Sequence, residues 1–205
     1  MIFFKKVDAS GQDNGMEQRI NNAVFPSCQG GPHNNTIAAV AVALKQANTP
    51  EFVQYSRMVR ENCKTLANFL VSKNYELVSG GTENHLLLWD LRKEGVSGAK
   101  MEKLCELAHI TINKNSVKGD LSAVTPGGVR IGTAALTTRG FTPDDMIKVG
   151  ELLDEALQLT VELQNKSGSK LLKDFVIAAQ KSEKVHALKL QVQQLARKFP
   201  MPGHH

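Results

Sequence analysis

The stretch Phe25-Pro26-Ser27-Cys28-Gln29-Gly30-Gly31-Pro32-His33-Asn34 decides how this chain is read. It sets two glycines and a proline ahead of an unbroken apolar segment, Thr36-Ile-Ala-Ala-Val-Ala-Val-Ala-Leu44. Proline has no N–H to lose, so Pro32 is expected at the first helical position. Two adjacent glycines leave their backbone N–H groups bare, and a helix N-terminus adds the positive end of its dipole. The turn therefore reads either as an anion-binding helix start or as plain turn chemistry between two elements. The helix beyond it is apolar on every side, which predicts burial all round.

Upstream, residues 2–4 read as a short apolar strand, followed by a polar loop and a helix over 16–24 that stops at Phe25-Pro26. Downstream, Thr49-Pro50-Glu51 is a helix start: a capping threonine, a first-turn proline and an acid at the dipole. The stripe Phe52, Val53, Met58, Val59, Leu66, Phe69, Leu70 continues it at helical spacing. The period then changes, and strands are expected over 75–78, 85–91, 110–112 and 128–133, with a helix over 97–107. Thr142-Pro143-Asp144-Asp145 repeats the helix-start pattern and opens a long helix to about Gln164. Two charged amphipathic helices close the chain, over 171–179 and 184–198. From residue 50 onward the pattern is α+β, a small sheet covered on one side by helices. Residues 1–49 have too few elements to form a domain by themselves.

Composition narrows the function classes. The 205 residues are 41% hydrophobic and 22% charged, as in a soluble globular protein. No apolar run approaches the ~18–20 residues a membrane span needs, so no membrane role is expected. The net charge of +5 is spread among acids, and aromatics are only 5%, a poor match to a nucleic-acid surface. Cys28, Cys63 and Cys105 form no paired motif, which argues against a disulfide framework or zinc site and suits a reducing, cytoplasmic setting. His33, His85, His109 and His186 are likewise isolated, and no metal site is expected.

A second cluster carries chemistry: Thr111-Ile-Asn113-Lys114-Asn115-Ser116, then Gly127-Gly-Val-Arg130-Ile-Gly132-Thr133, then Arg139-Gly140. Strand alternation puts Arg130 on the face opposite Val129 and Ile131. Gly127, Gly128 and Gly132 are expected to leave the backbone around it uncrowded. An arginine open to a cleft has the planar fork that grips a carboxylate with two parallel bonds. The competing readings are a surface arginine and a structural ion pair. Arg139, in an exposed-looking turn, reads as a surface residue.

These motifs resemble the serine hydroxymethyltransferase family. The resemblance rests on Phe-Pro-x-x-Gln-Gly-Gly-Pro-His-Asn with its apolar helix, and on Asn-His-Leu-Leu-Leu-x-Asp-Leu-Arg from Asn84. It continues through Asn-Lys-Asn from Asn113, Arg-x-Gly-Thr-x-Ala-Leu-Thr-x-Arg-Gly from Arg130, and the closing Phe-Pro-Met-Pro-Gly. It spans nearly the whole chain and is closest to eukaryotic members. It implies the C-terminal portion of a fold-type I pyridoxal-phosphate enzyme: the tail of the large cofactor domain (1–49) and a small α+β C-terminal domain (50–205). The family interconverts serine and glycine, passing one carbon to tetrahydrofolate, in homodimers or tetramers whose active sites are shared between subunits.

By resemblance, Gly30 and Gly31 offer backbone N–H groups to the phosphate of a neighbouring subunit's pyridoxal phosphate. Arg130 matches the arginine that binds the amino-acid carboxylate. Asn115 would hydrogen-bond the pterin ring of the folate, Phe25 would approach the folate from the neighbouring subunit, and Ser122-Ala123-Val124 would form a folate-contacting loop. Ala134 and Lys118 stand where the family commonly has proline, and the first change is expected to loosen the backbone after Arg130. The family's Schiff-base lysine follows a Thr-Thr-Thr-His run that Lys5 and Lys6 do not match. No catalytic residue is therefore assigned here, and the chain alone is expected not to turn over substrate. The alternative is a non-catalytic binding or regulatory module that associates with full-length subunits.

Overall fold

Thr49-Pro50 is a boundary in three dimensions as well as in sequence pattern. Met1–Thr49 and Pro50–His205 form two compact units in the computed structural model, which describes residues 2–122, 125–168 and 171–203.

The first unit holds α1 (Met16–Asn22), a wide helical turn over Ala23–Cys28, and α2 (Asn34–Ala47). Phe25 leaves helical geometry inside that turn (φ −132°, ψ 126°), so the helix breaks where Phe25-Pro26 predicts. Residues 2–4 do not form the expected strand. A strand needs a neighbour to take up its N–H and C=O groups. The one backbone bridge among the described residues of this unit joins Val7 and Asp13, and Phe3 is 88% exposed. Pro32 also falls short of its expected place. His33, at non-helical angles (φ −86°, ψ 82°), precedes the first helical residue, Asn34, so Pro32 lies outside the helix. The all-round burial predicted for α2 is absent: Ile37, Val40, Val42 and Leu44 are all exposed, Ile37 by 60%. Helix propensity and apolar content form the helix, but none of its residues is buried in this chain.

The second unit is a four-stranded antiparallel sheet backed by helices. Its elements in order are α3 (Pro50–Ser72), β1 (Glu76–Leu77), β2 (Leu86–Asp90), α4 (Gly98–Leu107), β3 (Asn113–Asn115) and β4 (Gly128–Gly132). They continue as α5 (Ala134–Thr138), α6 (Pro143–Ser167), α7 (Leu172–Gln180) and α8 (Glu183–Ala196). The sheet order is β1-β2-β4-β3. Leu87, Trp89, Val129 and Ile131 point into a core shared with Leu66, Leu70, Met101, Leu104, Leu153 and Leu157. On the opposite face Arg130 and Gly132 of β4 are exposed.

Local chemistry explains where the elements start and stop. Thr142 and Asp145 form a reciprocal capping box at the head of α6, and Gly168 ends it in left-handed geometry (φ 61°). The Ser97 side chain accepts from the Lys100 N–H and caps α4. The strand expected over 110–112 begins three residues later: Ile112 is buried in the core, and the polar Asn113-Lys114-Asn115 forms the sheet edge, where polar side chains are tolerated. The strand expected over 75–78 shortens to Glu76–Leu77 because Ser79 and Gly80 both turn to positive φ. Phe52 and Val53 of the predicted α3 stripe are exposed. The fully buried Asn62 instead donates from Nδ2 to Thr137 Oγ1 and to the Phe141 carbonyl, both at 2.9 Å.

Two glycines permit the closest approaches. A Cβ on Gly98 would collide with the Gly128 carbonyl oxygen, and one on Gly150 with the Phe69 ring where α6 crosses α3. The first obstacle is backbone and cannot swing aside. Gly98→Ala is therefore expected to lower unfolding free energy by ~1–3 kcal/mol, read by denaturant titration. Gly30→Ala, whose Cβ would meet nothing within 4 Å, should leave the midpoint unchanged. Equal midpoints for the two variants would contradict this packing.

Candidate functional site

Arg130 sits at the centre of β4, exposed, between the buried Val129 and Ile131. The alternation expected from the sequence holds. Register places Leu88 directly opposite it on β2 and Asn113 directly opposite on β3. Directly paired residues share a face, so Leu88, Arg130 and Asn113 form one row across the open side. Among the described residues the Arg130 side chain makes no hydrogen bond or ion pair. A structural ion pair is thereby excluded for those residues, and the fork stands free for an external carboxylate.

Asn115 lies two residues along β3, on the same face. Its Nδ2 donates to the Ser116 carbonyl at 2.8 Å, which fixes the amide and leaves Oδ1 as an acceptor. The residues after Arg130 are tied down by hydrogen bonds. Thr133 N–H donates to the His85 carbonyl (3.1 Å), and Thr133 Oγ1 to the Val59 carbonyl (2.9 Å). Thr137 Oγ1 donates to the Thr133 carbonyl at 2.9 Å.

The glycines beside Arg130 serve a different purpose from the one expected. Gly127 and Gly128 are buried. A Cβ on Gly127 would press on Arg92 Cγ (2.7 Å) and Asp120 Oδ1 (2.8 Å), and one on Gly128 on the Trp89 carbonyl oxygen and Val117 Cγ1 (both 2.7 Å). They allow close packing around the start of the strand rather than an uncrowded backbone. Only Gly132 is exposed. Arg139 is no free surface residue: it donates from Nε to the Pro200 carbonyl and from Nη2 to those of Ala196 and Phe199, tying down the end of α8.

The loop between β3 and β4 carries Ser122, which is exposed; Ala123 and Val124 lie outside the described residues. Its base is closed by Asp120, whose Oδ2 accepts from the N–H groups of Gly127 (2.8 Å) and Val117 (2.9 Å). Arg92 packs over Gly127 and forks onto Asp90, with Nε to Oδ1 at 3.0 Å and Nη2 to Oδ2 at 2.6 Å. The Gly127 and Val117 donors hold the Asp120 carboxyl below its ordinary range. Hydrogen bonding from Arg92 does the same for Asp90, against the opposing effect of burial. Sequence reading missed this bracing. Its one visible signal is the Asp90-Leu91-Arg92 spacing at the end of β2.

In the first unit, Gly30 and Gly31 are exposed and their N–H groups have no partner among the described residues. Neither has the positive φ that would require glycine, and a Cβ on either meets nothing within 4 Å. Nothing in the described chain demands glycine there. Bare donors on an uncrowded turn fit an approaching phosphate. Phe25 is 63% exposed.

Sequence comparison supplies the family. The family model described as Serine hydroxymethyltransferase matches residues 1–153, and the chain belongs to that family. Serine hydroxymethyltransferase 4 of Arabidopsis thaliana is 50% identical over 210 residues, covering 99% of this chain and 44% of its own length. The chloroplastic Serine hydroxymethyltransferase 3 of the same plant is 46% identical, with 99% and 39% covered. The Caenorhabditis briggsae enzyme is 47% identical, with 99% and 42% covered. The chain thus spans less than half the length of these relatives, in keeping with a C-terminal portion. No helix among the described residues is long and apolar enough to cross a membrane.

Both braced carboxyls titrate below the unfolded value of about 4, so the stability they contribute is present above that value and lost as pH falls through their folded values. Amide protection at Val117 and Gly127 is expected to hold at neutral pH and to collapse in acid below about pH 4. In Asp120→Asn that dependence should flatten. Protection in the native chain that stays constant into strong acid would contradict the bracing.

Proposed function

We propose that this chain supplies the substrate-carboxylate contact and part of the folate contact of a serine hydroxymethyltransferase. The reaction is the interconversion of serine and glycine with transfer of one carbon to tetrahydrofolate. The single observation that carries the reading is the unpaired Arg130 fork on the open face of the sheet. In this reading residues 1–49 are the tail of a fold-type I cofactor domain, and residues 50–205 are the small C-terminal domain.

Pyridoxal phosphate, when bound, supplies the electron sink for bond cleavage at the amino-acid α-carbon. Gly30 and Gly31 donate their N–H groups to the phosphate of a cofactor held by a neighbouring subunit, which makes a homodimer or tetramer the working form. Arg130 takes the carboxylate of serine or glycine in two parallel N–H···O bonds, fixing both the position and the rotation of the amino acid. The Asn115 side chain hydrogen-bonds the pterin ring of tetrahydrofolate, with Phe25 of a neighbouring subunit and the Ser122 loop against the folate. We place the protein in the cytoplasm, although one relative is named as chloroplastic.

A chimaera tests this directly: this chain joined to the part of a curated relative that it does not span. It is expected to cleave serine, and Arg130→Lys should raise KM for serine at least ~10-fold, because a point charge cannot reproduce a bidentate fork. A cofactor-loaded chimaera whose KM ignores that substitution would overturn the assignment. The 205-residue chain alone, given pyridoxal phosphate and then borohydride, is expected to retain cofactor on no single lysine. A specific lysine adduct would show that the chain carries its own anchor.

A further inference from the structure

Behind the strand that carries Arg130, the second unit forms a solvent-open cavity of about 370 Å³. It lies between Ile131, α5, α6 and α8, with Leu136, Leu152, Val192 and Leu195 on its walls. Such a volume lined mainly by aliphatic side chains is the build of a small-molecule site. Its charged lining is one-sided: Arg139 is on the wall, and among the described residues no aspartate or glutamate is. Arg139 is also incompletely used. Its Nε and Nη2 are committed to the carbonyls of Pro200, Ala196 and Phe199, which leaves Nη1 as the guanidinium nitrogen with no partner among the described residues. His109 and Thr111, the other polar side chains on the wall, carry no negative charge, and His109 Nδ1 lies 3.3 Å from Gln193 Nε2.

We propose that this cavity binds a hydrophobic monocarboxylate, its apolar body among Leu136, Leu152, Val192 and Leu195 and its carboxylate on Arg139 Nη1. The backbone carbonyls already hold the guanidinium in place, so little side-chain freedom is lost on binding. A cationic ligand of the same shape would meet a cation with no counter-charge. The site is separate from the Arg130 fork and stands or falls without the serine hydroxymethyltransferase reading. Ile131 lines it and is the neighbour of Arg130 on β4, so occupancy should register in the strand that presents the fork.

The test uses phenylbutyrate as probe and phenylbutylamine as control, titrated into the 205-residue chain with amide NMR shifts as readout. Phenylbutyrate is expected to bind saturably and to move Ile131, Leu136 and Val192, while the amine does neither. Arg139→Gln should weaken the acid ~10-fold or more, the loss of a charge-assisted bond. Because that variant also frees the end of α8, Leu152→Phe is the second arm: it fills the cavity, leaves Arg139 intact, and should abolish binding. No saturable binding to the folded native chain, equal binding of acid and amine, or binding unchanged in Leu152→Phe would each overturn the proposal.

Discussion

Arg130 faces outward because its strand neighbours Val129 and Ile131 are both buried in the core. The head of α4 lies against β4 so closely that a methyl group on Gly98 would strike the Gly128 carbonyl, and the Gly98 N–H is spent on the Pro126 carbonyl at 2.8 Å. The register of β4 is that of its ladders with β2 and β3. Val129 and Ile131 then enter the core, each side chain contributing ~1.5–3 kcal/mol by burial. A slip of one residue would reverse the faces, drive the guanidinium into the core without a partner and expose both aliphatics. The outward fork is thus a consequence of core packing rather than of anything that touches the arginine.

The same economy appears on both sides of the strand. Above β4, Leu88, Arg130 and Asn113 line up by pairing register alone. Below and beyond it, Asp120, Arg92 and Asp90 lock the loop base, and Thr133 locks the exit. Rigidity at those points lets a two-bond grip be held in one orientation, which a carboxylate-binding residue needs if it is to orient rather than merely attract. The glycine turn of the first unit is different in kind: among the described residues its donors are bare and no contact explains the choice of residue. In the function proposed above, a cofactor phosphate is the acceptor those donors would meet.

The periodic signals were legible in the sequence and the compensated ones were not. Alternation identified the outward Arg130, and the Thr-Pro-acid pattern located the head of α6, because each depends on a few adjacent residues. Residues 2–4 and α2 misled for one shared reason: apolar pattern records what a segment would bury, and this chain provides no surface to bury it. The edge strand β3 was displaced because Ile112 is apolar for the core while the pairing residues are polar. Gly127 and Gly128 are sites of close packing, and a glycine in a sequence looks the same whether it opens space or fills it. Arg139 was read as surface because its three carbonyl partners lie about sixty residues away in sequence.

The central claim is that Arg130 recognises an amino-acid carboxylate, and isotope-edited NMR of its guanidinium resonance measures this most directly. Glycine and serine should shift that resonance saturably, and ethanolamine, which keeps the amine but lacks the carboxylate, should not. A response shared by all three, or none at any glycine concentration, would contradict the account.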